Sequence, residues 1–309
     1  MQREDKIYIA GHKGLVGSSI FNILKQSEFI NIIIKTRQDL DLTNQEAVRS
    51  FFKKEKPEYV FLAAAKVGGI MANLKGPAEF IYKNLAIQTN VIHQAYIHNV
   101  KKLLFLGSSC IYPRHAPQSM QEKHLLTGLL EPTNESYAIA KIAGIKMCQA
   151  YNRQYGTNFI SVMPANLYGP GDNFDLNNSH VLPALIRKFH EAKITDKPYV
   201  EIWGSGRPRR EFLYVYDLAE ACIFLMHNYD DSDIINIGAG KDISVMELAV
   251  VIKEIVGYQG EIKLDRSKPD GMPRKLLDSS KIKSLGWKPK IDLRTGINKT
   301  YKWFLEENK

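Results

Sequence analysis

Five short, uninterrupted apolar runs constrain this chain more than any other feature. They lie at residues 6–10 (Lys6-Ile7-Tyr8-Ile9-Ala10), 32–34, 59–63, 102–106 and 159–163, and each reads as a strand. Between them the apolar spacing switches to three- and four-residue steps, as at Leu15, Ile20, Ile23 and Leu24 within 14–26. Thr43-Asn44-Gln45-Glu46 reads as a capping box with Thr43 as N-cap, opening a helix toward Lys54. Strands that are apolar on both faces and alternate with helices predict an α/β fold with a doubly wound parallel sheet, covered on both sides.

The turn after the first strand is Gly11-His12-Lys13-Gly14-Leu15-Val16-Gly17. Glycines there permit a tight turn and a close backbone approach, and the following helix presents unpaired N–H groups to a pyrophosphate. The strand–turn–helix setting favours a dinucleotide site over a plain turn. Twenty residues beyond Gly17 stands Arg37, where an acidic residue would have suited the ribose of NAD. A cation suits the extra phosphate of NADP, and Lys13 could reach the same group. Lys35 reads as solvated surface.

Beyond Gly171 the pattern loosens into loops and single helices, at 180–192 and 244–256. A dinucleotide-binding part over 1–171, to which part of 213–240 returns, and a smaller mixed α/β substrate lobe over 172–309 are expected. A length of 309 residues accommodates both, and no Gly/Ser linker or repeat separates them.

Three scattered cysteines, Cys110, Cys148 and Cys222, do not make a disulfide framework or a zinc cluster. No metal site is expected. The start lacks an apolar signal core and no run is long enough to span a bilayer, so the cytoplasm is the expected compartment and no membrane partner is expected. A net charge of +9 favours anionic partners. The basic residues are dispersed without an aromatic-interleaved stripe, which argues against nucleic acid.

Tyr137-Ala138-Ile139-Ala140-Lys141 puts two side chains one helical turn apart on one face. A lysine cation beside a tyrosine would lower its ordinary pKa near 10 and fit it for acid–base work. The pair follows a strand that ends in Gly107-Ser108-Ser109-Cys110, where doubly wound sheets place their chemistry. Cys110 and Ser108, two residues apart, share a side if the strand geometry continues. His180 stands at the start of a helix. Taken alone, Cys110 reads as a small buried hydrophobe and His180 as a helix cap.

These motifs, with Asn166-Leu167-Tyr168-Gly169-Pro170, Trp203-Gly204-Ser205-Gly206 and Pro269-Asp270-Gly271, resemble the extended short-chain dehydrogenase/reductase family over nearly the whole chain. The resemblance implies a Rossmann fold, Tyr137 as proton donor or acceptor, Lys141 on the nicotinamide ribose and Ser108 on the reacting oxygen. It further implies NADP(H) contacts at Asp41, Leu106, Gly107, Ser109, Pro164, Ala165, Asn166, Leu167 and His180. The 4,6-dehydratases of the family carry an acidic pair where this chain has Ser109 and Cys110. The segments 63–70, 106–113, 131–134, 178–181 and 268–271 are similar to the branch of bifunctional epimerase–reductases acting on GDP-4-keto sugars.

That branch implies a GDP-4-keto-6-deoxy-D-mannose substrate, 3,5-epimerisation with Cys110 as base and His180 as acid, and reduction at C4. It implies Lys188, Trp203, Arg210, Asp270 and Lys275 around the GDP-sugar. Lys13 departs from the arginine expected in the glycine loop; it keeps the charge but loses a bidentate fork, so the preference for NADP would be weaker. Two other readings stay open: a 4-reductase of a related GDP-4-keto sugar such as a 6-deoxyheptose, without epimerisation, and a non-catalytic NADP-binding regulator. The long helical pattern over 80–100 and the helix carrying Tyr137 are expected to pair across a homodimer.

Overall fold

The computed structural model describes residues 1–176 and 178–307; Asn177, three residues before His180, lies outside the described residues. Strands β1 (Ile7–Ala10), β2 (Ile32–Ile34), β3 (Tyr59–Leu62), β4 (Lys102–Leu106) and β5 (Phe159–Pro164) alternate with helices α1 (Leu15–Gln26), α2 (Gln45–Glu55), α3 (Ile70–Lys75), α4 (Pro77–Ile97) and α5 (Glu135–Tyr155). There follow β6 (Asn166–Tyr168), α6 (Val181–Ile194), β7 (Tyr199–Trp203), β8 (Arg209–Tyr214), α7 (Val215–Asn228), β9 (Ile235–Ile237), β10 (Asp242–Ser244), α8 (Val245–Val256), β11 (Glu261–Asp265), β12 (Arg274–Lys275), α9 (Ser280–Ser284) and α10 (Leu293–Glu307).

The first sheet runs β2-β1-β3-β4-β5-β9. Every pair in it is parallel, with Ile9 facing both Ile34 and Phe61 across the ladder. Every residue of β1, β4 and β5 is buried, which is why these strands read as unbroken apolar runs rather than alternating ones. Each fully buried Ile or Phe there contributes about 1.5–3 kcal/mol. The chain leaves β1 through α1 to β2 on one side, while β3 lies on the other. The strand order thus reverses at β1, and doubly wound sheets open a crevice at such a point.

The second sheet has β8 at its centre, flanked by β10, β12 and β6, and β7 pairs with β11 separately. A second apolar core gathers around it, including Leu185, Phe189, Leu248, Ile252 and Ile297. Among the described residues no helix is long and apolar enough to cross a membrane.

One helix start differs from the sequence reading. Helix α2 is capped by Asn44, whose side chain accepts the Ala47 N–H, and not by Thr43. The reason is local competition: the Asp41 carboxylate takes both the Thr43 N–H and its hydroxyl, at 2.9 and 2.8 Å. A capping box does occur at α8, where Ser244 and Glu247 exchange hydrogen bonds.

Candidate active site

The glycine loop sits where β1 gives way to α1. Gly11 has φ +91°, and a Cβ on it would come within 2.8 Å of the Ala64 backbone after β3. A Cβ on Gly17 would collide with the Gly11 carbonyl. The N-cap of α1 is Gly14, which offers no side-chain cap, so the first-turn N–H groups are left for a ligand. The loop therefore has the shape and the free donors that a dinucleotide phosphate needs.

This loop opens into a cavity of about 1020 Å³, long enough to run from the glycine loop to Trp203 on β7. Of the candidate catalytic, cofactor and substrate residues named from the sequence, all line it except His12. His12 turns away: its Nδ1 is buried without a partner, and burial and then the neighbouring Lys13 hold its pKa below the ordinary imidazole value. Arg37 stands at the cavity rim with 75% of its side chain exposed, 4.0 Å from Asp41. Lys35 is tied to Glu55 at 3.7 Å. Hydrogen bonds from Thr43 keep the Asp41 carboxyl below its usual range, so it is an acceptor at neutral pH.

The strand geometry does not continue past β4. Ser108 is extended, and 109–111 then make a single 3₁₀ turn in which the Cys110 N–H donates to the Ser108 hydroxyl at 3.2 Å. Cys110 still faces the cavity, because the turn and not the strand aims it there. Its sulfur receives two donors, Asn134 Nδ2 and Lys275 Nζ, each at 3.2 Å. Burial alone would push the thiol up, but Lys275, the Ser108 hydroxyl and Arg210 together bring it below its ordinary value.

On α5, Tyr137 packs edge-on against Phe80 of α4, with ring centroids 6.3 Å apart. Burial, and then Cys110, drive its hydroxyl pKa up, and a hydrogen bond with Ser108 draws it partly back. The expected lowering by Lys141 is not what sets this group. Lys141 is 3% exposed, donates to the Leu106 carbonyl at 2.7 Å, and is brought down to about 7 by burial. A desolvated ammonium that gives up its own charge near neutrality exerts little pull on a neighbour.

His180 is the N-cap residue of α6, but its side chain makes no capping bond and faces the cavity instead. The surrounding protein, and then Lys275, lower its pKa. Lys188 lies 5.0 Å over the Trp203 ring and donates to the Glu201 carbonyl at 3.0 Å. Arg210 donates to the Asp270 carbonyl at 3.3 Å. Each carboxylate oxygen of Asp270 accepts one bond from Ser205, at 2.7 and 2.8 Å, so this residue closes the 203–206 turn while still lining the cavity.

The sequence reading gave no role to Asn134 or to Glu211. Glu211 is 1% exposed and takes the N–H groups of Gly240 and Leu277, at 2.6 and 2.9 Å. It pins β12, and with it Lys275, against the end of the first sheet.

A sequence model described as the NAD dependent epimerase/dehydratase family matches residues 7–238. GDP-L-fucose synthase 1 of Arabidopsis thaliana is 60% identical over 301 residues, 97% of this chain and 93% of its own. GDP-L-fucose synthase of Escherichia coli K12 is 53% identical over 312 residues, 98% of this chain and 97% of its own. A Campylobacter jejuni GDP-mannoheptose C4 reductase, solved with NADP bound, is 48% identical with a TM-score of 0.90, over 99% of both chains. A nucleotide cradle at the switch point, a tyrosine–lysine pair on α5 and these relatives agree: the chain belongs to the NAD dependent epimerase/dehydratase family.

Proposed function

We propose that the chain converts GDP-4-keto-6-deoxy-D-mannose to GDP-L-fucose by 3,5-epimerisation and 4-reduction, with NADPH as hydride donor. The observation that carries this reading is a second acid–base set beside the Ser108–Tyr137–Lys141 reductase set: Cys110, held by Asn134 and Lys275 at 3.2 Å, in the cavity that His180 also lines. A simple ketone reductase does not need it. The two GDP-L-fucose synthases at 53–60% identity support the same substrate.

The cradle at Gly11 and Gly17 and the uncapped start of α1 suit a dinucleotide pyrophosphate. Lys13 and Arg37, both on the cavity wall, suit a 2′-phosphate and favour NADPH over NADH. When bound, NADPH supplies the hydride delivered to C4.

Ser108 and Tyr137 donate to the C4 carbonyl oxygen of the substrate. Polarising that carbonyl acidifies the protons at C3 and C5, since the carbanion formed is an enolate. At each carbon in turn Cys110 removes the proton and His180 delivers one to the opposite face, and proton exchange with solvent resets both groups between the two inversions. Tyr137 then protonates the C4 oxygen as it becomes an alkoxide; a hydroxyl that burial keeps protonated is fit to donate. Lys188 and Arg210 neutralise the diphosphate, and Trp203 covers the nucleotide. Helices α4 and α5 expose Tyr82, Ile97, Ile139 and Tyr155, which supports a homodimer across these two helices.

Product analysis with two substrates tests the reading. GDP-4-keto-6-deoxy-D-mannose gives GDP-L-fucose, and a GDP-4-keto-heptose is turned over poorly. Reduction of the heptose at the higher kcat/KM, without inversion at C3 or C5, overturns it in favour of a C4 reductase.

A further inference from the structure

Lys275 is 8% exposed, and no carboxylate among the described residues pairs with its ammonium. Among the described residues its one polar partner is the Cys110 sulfur. A buried ammonium against a neutral thiol would leave a charge without a counter-ion, an unfavourable arrangement. Against a thiolate the same geometry is an ion pair.

Asn134 points the same way. Its amide turns the donor Nδ2 to the sulfur, while Oδ1 is buried in the cavity wall without a partner. A side chain whose donor end is satisfied and whose acceptor end is not has been oriented by an acceptor, and a thiolate is a far stronger acceptor than a thiol. The other charged and titratable groups acting on this sulfur are Arg210 from β8 and Tyr137 from α5, and His180 at the start of α6 feels Lys275.

We infer that Lys275 and Asn134 are positioning residues that hold Cys110 as a resting thiolate, ready to take the C3 and C5 protons. The inference rests on the epimerase reading above for its role, though not for its chemistry. Lys275 comes from β12, whose backbone pairs with Arg210 of β8, whereas Cys110 follows β4 of the first sheet. The ion pair therefore forms only when the two sheets are assembled, and the base is charged only in the finished cavity.

Alkylation of Cys110 by iodoacetamide, followed by mass spectrometry across pH 5–10, reads the thiolate directly. Cys148 and Cys222 are fully buried and stay silent, and Cys110→Ser verifies the labelled site. The expected inflection lies below that of a free thiol. Lys275→Met and Lys275→Gln raise it by roughly 1–3 pH units. Lys275→Arg keeps it low, and Asn134→Ala raises it by less than either neutral Lys275 variant. An ordinary inflection in the wild-type protein, or an unchanged one in both neutral Lys275 variants, overturns the inference. If the inflection moves as expected but no solvent deuterium enters C3 or C5 of the keto sugar, the thiolate pair stands and the epimerase reading falls.

Discussion

The Lys141 ammonium donates to the Leu106 carbonyl at 2.7 Å and lies 5.9 Å from the centre of the Tyr137 ring. The lysine is thus anchored to the end of β4, one turn of α5 away from the hydroxyl it was expected to tune. Burial brings it down to about 7, so near neutral pH the unliganded protein holds it part-protonated. A ribose and phosphates in the cavity favour its cation, and NADPH binding at pH 7.5 therefore takes up protons. Calorimetry in buffers of different ionisation enthalpy measures this uptake. Lys141→Met removes it and lowers reduction by roughly 10²–10⁴-fold. Equal uptake in that variant would move the titration to another group.

Arg37 is mostly exposed and has only a loose pairing to Asp41. It is free to turn to a 2′-phosphate at little cost. Arg37→Asp lowers the ratio of kcat/KM for NADPH over NADH by about tenfold, the effect of one charge-assisted contact at a partly solvated site. The measurement is hydride transfer with both cofactors. An unchanged ratio would assign the discrimination to Lys13.

Glu211 is raised to about 7 by burial, against an ordinary carboxyl near 4.5. A carboxyl with a raised folded-state pKa gives stability that is present at low pH and lost as pH rises through its folded value. Part of the protein's stability therefore falls between about pH 5 and pH 8. Glu211→Gln puts an NH₂ against one of the backbone N–H groups and costs about 1–3 kcal/mol at pH 5. The Tm gap between variant and wild type narrows toward pH 8. A gap that widens would mean that the ionised carboxylate stabilises this joint.

The elements built from contiguous residues were legible. The strands at 7–10 and 102–106, the glycine turn and the Tyr137–Lys141 spacing each follow from a local pattern that burial or helix geometry imposes. The slip from Thr43 to Asn44 came from a rival hydrogen bond at Asp41, which a capping pattern does not weigh. The aim of Cys110 depended on a 3₁₀ turn that no apolar period announces.

Lys275 and Cys110 are 165 residues apart and meet through the pairing of β12 with β8, so no spacing could join their chemistry. Glu211 follows two arginines, Arg209 and Arg210, and no local pattern marks it as buried. It is buried because two segments, 239–240 and the one at Leu277, converge on its carboxylate. Asn134 lies within the segment 131–134 but carries no titratable group to mark it.

The most direct test of the central claim is NMR of the product formed from GDP-4-keto-6-deoxy-D-mannose and NADPH in deuterium oxide, run on wild type, Cys110→Ser and Tyr137→Phe. Wild type gives GDP-L-fucose with deuterium at C3 and C5. Cys110→Ser binds NADPH but loses deuterium incorporation at both carbons. Tyr137→Phe retains exchange while reduction falls by a larger factor. Full exchange in Cys110→Ser, or a wild-type product reduced at C4 with the original hydrogens at C3 and C5, would contradict the account.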